Sequence, residues 1–270
     1  MTAPTFLSRL ERFETVDSTQ RVVREWLDAG TPEVAVAVAA HQSAGRGRQG
    51  RSWSAPGGAA LLLSAGFRPT TLLAHHGWRL AATLSLAMLD AAEEAAGLKD
   101  DTLWLKWPND IVADASDGRL VKVAGVLGEA AGEAERVESA VVGIGVNTDW
   151  PAELFPPELA PSMSSLREVA GGRPIDNEQL LESFLDRLEP RYEALRTGSF
   201  DAGGWSRRQR TTGRQVEVES GAEVLRGEAL GVDPESGALI VQHEGGRRHV
   251  ASGEVLRCRI IAGLPTTRNG

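Results

Sequence analysis

The chain has 270 residues, and its 37 acidic against 29 basic side chains give a formal net charge of −8, which argues against non-specific binding of nucleic acid. Apolar residues make up 41% and charged residues 24%, which is typical of globular proteins and excludes an intrinsically disordered chain. The single cysteine, Cys258, excludes an intrachain disulfide and a cysteine-rich zinc site, and because no apolar run is long enough for a signal peptide or a membrane span, we expect a cytoplasmic protein without membrane contact.

The first two thirds of the sequence predict strands and helices in mixed order. N-cap residue types from Asp17 and a stop at Gly30 indicate a helix, and the valine-rich run 34–40 indicates a buried strand. Because the elements do not alternate strictly, we expect an α+β fold with a mixed, largely antiparallel sheet and helices packed on one face. The other predicted elements are strands at 59–67, 103–107, 122–130 and 137–146, a helix at 75–97, and a helix at 177–196 that Pro190 kinks or splits into two.

After Gly213 the pattern changes to short strands separated by turns, which predicts a small β-barrel. We therefore expect two domains, 1–212 and 213–270. Four prolines in the segment 150–161 indicate a loop, and long loops in compact domains are often functional. The tail 266–270 is expected to be disordered. The five predicted strands of the barrel are 215–219, 224–230, 239–242, 249–251 and 255–261.

The segment Gly45–Arg51 reads Gly-Arg-Gly-Arg-Gln-Gly-Arg and directly follows a predicted buried strand. Glycine lets the backbone come close to a ligand, and arginine presents a planar, permanently charged donor set to carboxylate or phosphate. The segment therefore favours binding of an anion, although a solvated, flexible loop has the same composition. It is neither a Walker A loop nor a dinucleotide-binding loop.

Four other segments place polar side chains at the ends of predicted elements. In Lys106–Asp110 a strand ends at proline and presents an amide and a carboxylate, as a ligand site or as a simple turn. Lys122 opens an apolar strand, where it could stabilise negative charge or merely reach solvent. Two glycines in Gly143–Asn147 suggest close approach of another group, a bulge or tight packing. Asp17–Gln20 offers hydroxyls at a helix start, as a binding site or an ordinary cap.

The order of these motifs resembles the biotin protein ligases, also called biotin–[acetyl-CoA-carboxylase] ligases. The resemblance rests on Asp-Ser-Thr at 17–19, Gly-Arg-Gly-Arg-x-Gly-Arg-x-Trp at 45–53, Lys-Trp-Pro-Asn-Asp at 106–110, Lys-x-Ala-Gly-x-Leu-x-Glu at 122–129 and Gly-x-Gly-x-Asn at 143–147. It implies the biotin–lipoate ligase fold, which is similar to class II aminoacyl-tRNA synthetases, followed by an SH3-like β-barrel.

The resemblance implies a reaction in two steps. Biotin and Mg²⁺-ATP give biotinyl-5′-adenylate and pyrophosphate, and a lysine of a biotin carboxyl carrier domain then takes the biotinyl group and releases AMP. It implies ATP, Mg²⁺ and biotin as ligands, with no metal site fixed by the sequence. Only sixteen residues precede Asp17, so we expect no DNA-binding domain before the catalytic domain and no binding of DNA.

The resemblance also implies roles for individual residues. The catalytic group comprises Lys122, Arg46 and Arg48. The biotin-binding group comprises Ser18, Thr19, Gln20, Gln42, Arg46, Gly47, Arg48 and Lys122. The group that binds ATP and the adenylate comprises Arg48, Arg51, Trp53, Asn109, Asp110, Lys122 and Asn147.

Three functions besides that of a biotin protein ligase are compatible with the same residues. A lipoate or octanoate ligase would share the fold, although the Gly-Arg-Gly-Arg motif favours biotin. A regulator could bind biotinyl-adenylate without transferring it. The arginine-rich loop could instead bind nucleic acid, with an affinity that falls steeply with salt.

Overall fold

The structure is a computed structural model that describes residues 6–132, 135–221, 223–252, 255 and 257–261. The chain forms two compact units, one of residues 1–103 and 109–200 and the other of residues 104–108 and 201–270. The domain boundary near residue 212 stays a prediction, and the tail 266–270 lies outside the described residues. Among the described residues, none of the helices is both long and apolar enough to cross a membrane.

The first unit is built on a mixed sheet whose strands run in the order β1-β2-β3-β7-β6-β5. Only β1 and β2 pair in parallel, and the other neighbours in this order pair antiparallel, which confirms the predicted sheet type. The chain's first seven strands are Arg9–Val16 (β1), Ala35–Gln42 (β2), Ala60–Phe67 (β3), Leu103–Lys106 (β4, mostly in the second unit), Asp110–Asp114 (β5), Leu120–Ala131 (β6) and Ser139–Asn147 (β7).

Helices cover both faces of this sheet, so the prediction that they pack on one face is wrong. A Cβ atom at Gly66 would touch Val23 and Leu27 of the first helix. The next residue, Phe67, packs against the fourth helix, with its ring centre 4.8 Å from that of Tyr192. Since successive residues of a strand point to opposite faces, these helices lie on opposite sides. Every residue of β3 is buried, as expected for a strand covered on both faces. The helices of this unit are Thr19–Asp28 (α1), Trp78–Ala95 (α2), Leu166–Val169 (α3) and Asn177–Arg196 (α4).

Helix α4 continues through Pro190, so of the two predicted alternatives, a kink or a split, the split into two helices is wrong. Asp176 caps the helix by accepting hydrogen bonds from the backbone N–H groups of the second and third helical residues, Glu178 and Gln179. Pro190 lies on the exposed side, as does Asp186, whose carbonyl loses its helical partner. Water can hydrogen-bond that carbonyl, which explains why the helix tolerates the proline.

The second unit contains five strands, as predicted, and they form an antiparallel sheet in the order β11-β10-β9-β8-β12. Its core includes Trp107, whose backbone N–H donates to Thr211 Oγ1 and whose indole N–H donates to the carbonyl of Gly237, both at 3.0 Å. The elements of this unit are Ala202–Arg207 (α5), Gln215–Ser220 (β8), Glu223–Val232 (β9), Leu239–His243 (β10), Gly246–Val250 (β11) and Arg257–Ile260 (β12).

Candidate functional site

A buried polar cluster lies where α1 begins. Gln42 Oε1 accepts hydrogen bonds from the Thr19 backbone N–H at 2.8 Å and from the Thr19 hydroxyl at 3.1 Å. That hydroxyl also lies 2.8 Å from Ser64 Oγ on β3. Gln20 donates to the carbonyl of Leu127 on β6, at 3.0 Å. Ser18 precedes the helix, is buried and makes no capping hydrogen bond with its side chain. The structure therefore brings together all four predicted residues of this part, Ser18, Thr19, Gln20 and Gln42.

The glycine-arginine segment closes on itself as a tight antiparallel loop. The Trp53 N–H donates to the Gly45 carbonyl at 2.9 Å, and the Gly47 N–H donates to the Arg51 carbonyl at 2.7 Å. At the tip, Gln49 has φ +55° and Gly50 has φ +71°. Because the backbone turns back within the motif, its three arginines project from a short, hydrogen-bonded loop.

Lys122 pairs with the carboxylate of Asp110, and the charge of that carboxylate also acts on Arg48. The Lys122 ammonium lies 2.6 Å from Asp110 Oδ1, in a pair whose carboxylate side chain is only 18% exposed. Burial lowers the pKa of the Arg48 guanidinium, and Arg51 lowers it further, whereas attraction by Asp110 opposes this. One carboxylate therefore interacts with two of the predicted cationic groups, through a close ion pair with Lys122 and through attraction of Arg48.

A change of register between β5 and β6 places Lys122 in this position. Ile111 pairs with Ala124 and Val112 pairs with Lys122, so β6 has one more residue here than β5. Such a bulge redirects a side chain. A Cβ atom built on Gly125 would lie 3.0 Å from Lys122 Nζ, so the ammonium lies over that glycine.

Trp53 lies flat against glycines of β6 and β7. A Cβ atom on Gly145 would be 2.5 Å from Trp53 Cε2, and one on Gly125 would be 3.0 Å from Trp53 Cζ3. The Lys122 ammonium lies 5.2 Å from the centre of the Trp53 ring, which allows a cation–π interaction. The indole Nε1 is buried without a hydrogen-bond partner. The close approach predicted for the glycines of β7 is therefore made by the protein's own side chains.

The two predicted asparagines fix the backbone around the site. Asn109 donates to the carbonyl of Val126 at 2.8 Å, and Asn147 donates to the carbonyl of Ser164 at 2.9 Å. The backbone of Lys122 pairs with the end of the proline-rich segment, because its N–H donates to Ser162 and its carbonyl accepts from Ser164. The segment predicted as a functional loop thus ends against the strand of Lys122.

Arg46 pairs with a carboxylate other than that of Asp110. Its Nη2 lies 2.9 Å from Glu129 Oε1. Glu129 Oε2 also lies 3.6 Å from Arg24 Nη2 on α1. The structure therefore pairs Lys122 with Asp110 and Arg46 with Glu129, so these two predicted cationic residues belong to different ion pairs.

Sequence reasoning missed two residues of the site. Ser64 joins the polar cluster, and the signal was a hydroxyl within the otherwise apolar strand Ala60–Phe67. Glu129 pairs with Arg46, and the signal was its place at the end of the motif that starts at Lys122. The contacts of Ser162 and Ser164 had no signal in the sequence, because they use the backbone alone.

These residues provide a polar cluster and a cationic cluster on one face of the sheet. Gly143 lies under Gln20 and Gly145 lies under Trp53, and alternate residues of a strand share a face. The described residues contain no group of three histidine, cysteine or acidic side chains that could hold a metal ion. The arrangement suits a ligand with a polar, hydrogen-bonding end and an anionic end.

Comparisons with known proteins agree with this arrangement. Residues 12–147 match the biotin/lipoate A/B protein ligase family, and residues 211–257 match the biotin protein ligase C terminal domain. The chain is 34% identical over 231 residues to the biotin--[acetyl-CoA-carboxylase] ligase of Paracoccus denitrificans, covering 81% of this chain and 88% of the relative. It is 32% identical over 227 residues to the ligase of that name from Mycobacterium tuberculosis, covering 83% and 79%. The structure of Aquifex aeolicus biotin protein ligase in complex with biotin and ATP has a TM-score of 0.77 at 27% identity, covering 94% of this chain and 99% of that one.

Proposed function

The chain belongs to the biotin/lipoate A/B protein ligase family, and from this premise we propose that it activates biotin with ATP and transfers the biotinyl group to a lysine of a biotin carboxyl carrier domain. The observation that carries the proposal is the ion pair of Lys122 with Asp110, on the same face of the sheet as the polar cluster of α1. Relatives named biotin--[acetyl-CoA-carboxylase] ligase support this choice within the family.

In the first step, a carboxylate oxygen of biotin attacks the α-phosphate of ATP. A new P–O bond forms, the bond to the β-phosphate oxygen breaks, and pyrophosphate leaves with the electron pair. Negative charge builds up around one phosphorus atom. Fixed cations aimed at that position, Lys122 and Arg48, would stabilise this charge.

In the second step, the amine of the acceptor lysine attacks the acyl carbon of biotinyl-adenylate. An amide bond forms, the mixed anhydride breaks, and AMP leaves as the amine loses a proton. The same two cations would stabilise the phosphate of the departing AMP. Because the adenylate stays bound between the steps, the site also supplies proximity.

The polar cluster favours biotin over a linear acyl chain. The ureido ring of biotin can exchange hydrogen bonds with Ser18, Thr19 and Gln42, which are present at this place. An octanoyl chain has no group that can form such hydrogen bonds, so it gains nothing from these residues. We therefore assign biotin as the acid and keep lipoate as the second candidate, since the family includes both kinds of ligase.

Mg²⁺ enters this proposal as part of the substrate Mg²⁺-ATP. The carboxylate of Asp110 already pairs with Lys122 through Oδ1. The described acidic residues form no group of three that would hold a resident ion. The phosphates of ATP offer oxygen ligands of the kind that Mg²⁺ prefers.

The decisive experiment incubates the purified protein with Mg²⁺-ATP, biotin and a biotin carboxyl carrier domain. We expect pyrophosphate release and a gain of one biotinyl group on the carrier, read by intact mass. Lipoate and octanoate in place of biotin serve as controls. Equal or faster transfer of either acid would contradict the assignment of biotin.

Two further outcomes would point to a regulator or to a nucleic-acid-binding protein instead of a ligase. Pyrophosphate release without any mass gain on the carrier would favour a protein that only binds the adenylate. Tight binding of duplex DNA that weakens steeply with salt would favour the nucleic-acid role. We expect no such binding at either low or moderate salt.

A further inference from the structure

Glu129 links two elements of the site through its carboxylate. One oxygen lies 2.9 Å from Arg46 of the glycine-arginine loop, and the other lies 3.6 Å from Arg24 of helix α1. The carboxylate side chain is 30% exposed and that of Arg24 is 27% exposed, so this contact is partly shielded from solvent. Glu129 thus connects the loop that carries the arginines with the helix that carries the polar cluster.

The position of Glu129 on the sheet supports this connection. It pairs with Val141 of β7, and Val141 packs against Val23 of α1. Glu129 therefore projects from the face that carries α1 and the site. Because Arg46 engages it through Nη2 and keeps a side chain that is 56% exposed, its other nitrogens can still donate to a ligand.

We propose that Glu129 is a positioning residue for the ligase reaction, which holds Arg46, and with it the glycine-arginine loop, against helix α1. The expected change in KM rests on the proposed function, whereas the expected change in loop digestion does not. A loop with three glycines loses much conformational freedom when it orders around a ligand. An ion pair that holds the loop in place before binding reduces that loss, so its effect falls on substrate binding rather than on the chemical step.

The test compares Glu129→Gln with Glu178→Gln, a matched control. Glu178 forms an exposed ion pair with Arg12, 2.6 Å away, and takes no part in the site. The first readout is limited digestion of the ligand-free protein by trypsin, with cleavage after Arg46, Arg48 and Arg51 followed by mass spectrometry. The second is the KM for biotin and kcat, measured with saturating ATP and carrier domain.

For Glu129→Gln we expect cleavage in the loop to become about fivefold faster and the KM for biotin to rise about fivefold, the upper range for such an ion pair. We expect kcat to change less than about twofold, as for a residue that acts on binding. Arg24→Gln removes one of the two partners and should change both readouts about twofold. Glu178→Gln should leave both unchanged.

Unchanged cleavage and unchanged KM in Glu129→Gln would overturn the proposal. So would a lower KM, because it would mean that Glu129 competes with the biotin carboxylate. If circular dichroism shows that Glu129→Gln does not fold, Arg24→Gln takes its place, and unchanged cleavage and unchanged KM in that variant would overturn the proposal. A wild-type protein without ligase activity would refute the proposed function, whereas the digestion would still decide whether Glu129 holds the loop.

Discussion

The Lys122 ammonium lies between a carboxylate and an aromatic ring, and both contacts direct it to one place. Asp110 holds it at 2.6 Å, and the centre of the Trp53 ring lies 5.2 Å away. Lys122→Ala removes this charge, and we expect pyrophosphate release to fall about 10²- to 10³-fold, as for the loss of one stabilising donor. Lys99→Ala, at an exposed position, is the matched control. Wild-type rates in Lys122→Ala would refute the assigned role.

Gly145 provides the space in which Trp53 lies. A methyl group there would sit 2.5 Å from Trp53 Cε2, closer than any stable contact, so Gly145→Ala must displace the indole. We expect a loss of about 1–3 kcal/mol in the free energy of unfolding, measured with urea, together with weaker ATP binding. Gly57→Ala is the control, since a Cβ atom there meets nothing within 4 Å. Equal stability of the two variants would contradict this packing.

At the scale of elements, hydrophobic patterns predict most strands and long helices of the chain. The apolar run of β3 indicates a buried strand, and its burial at every position further indicates cover on both faces. The pattern does not predict the first strand, Arg9–Val16, because its burial does not follow a clear alternation. Pro190 predicts a break in the helix, but the sequence does not reveal that it lies on the exposed side of α4, where the helix continues through it.

The candidate site is predictable in its residue types but not in its pairings. The motifs identify Lys122, Asp110 and Arg48, yet the bulge that brings Lys122 to this face depends on the register of β5 and β6. No local pattern specifies such a register shift. For the same reason, the sequence assigns Arg46 the same role as Arg48, whereas the structure pairs it with Glu129.

The end of the proline-rich segment is held to the sheet by a side-chain hydrogen bond from Asn147 and by a short stretch of backbone pairing. Asn147 is buried and donates to the Ser164 carbonyl, which lies next to the residue that pairs with Lys122. Asn147→Ala leaves that carbonyl without its partner, so we expect a loss of about 1–3 kcal/mol in unfolding free energy and a higher KM for ATP. Ser162→Ala, which removes an exposed hydrogen bond of the same segment, should change neither quantity. If both variants behave alike in urea denaturation and kinetics, Asn147 does not hold the segment.

At the scale of the whole molecule, an acidic protein carries a cationic site for anionic substrates. The net charge is −8, yet Arg48, Arg51 and Lys122 share one small region of the first unit. A local positive field of this kind draws in carboxylate and phosphate groups, whereas the overall charge disfavours polyanions such as DNA. The distribution of charge is therefore consistent with the proposed small substrates.

The only tyrosine of the chain joins the helical layer to the sheet. The Tyr192 hydroxyl donates to the carboxylate of Glu33, which also accepts from the backbone N–H of Arg68 at 2.6 Å. Burial raises the pKa of Tyr192 above its ordinary value, and the hydrogen bond to Glu33 and the negative charge of that carboxylate raise it further. In the folded protein the phenol therefore stays protonated under conditions in which the unfolded chain loses this proton.

This difference predicts the alkaline limit of stability. The ordinary pKa of tyrosine is about 10. Below that pH the contribution of Tyr192 to the free energy of unfolding is complete, and it is lost as the pH rises toward the raised folded-state pKa. We expect unfolding free energy to fall by about 1.4 kcal/mol per pH unit from this proton. Absorbance at 295 nm should show no phenolate until the protein unfolds, whereas in urea the titration should centre near pH 10. Tyr192→Phe should lack this alkaline slope, and phenolate forming in the folded protein near pH 10 would show that Glu33 does not hold the proton.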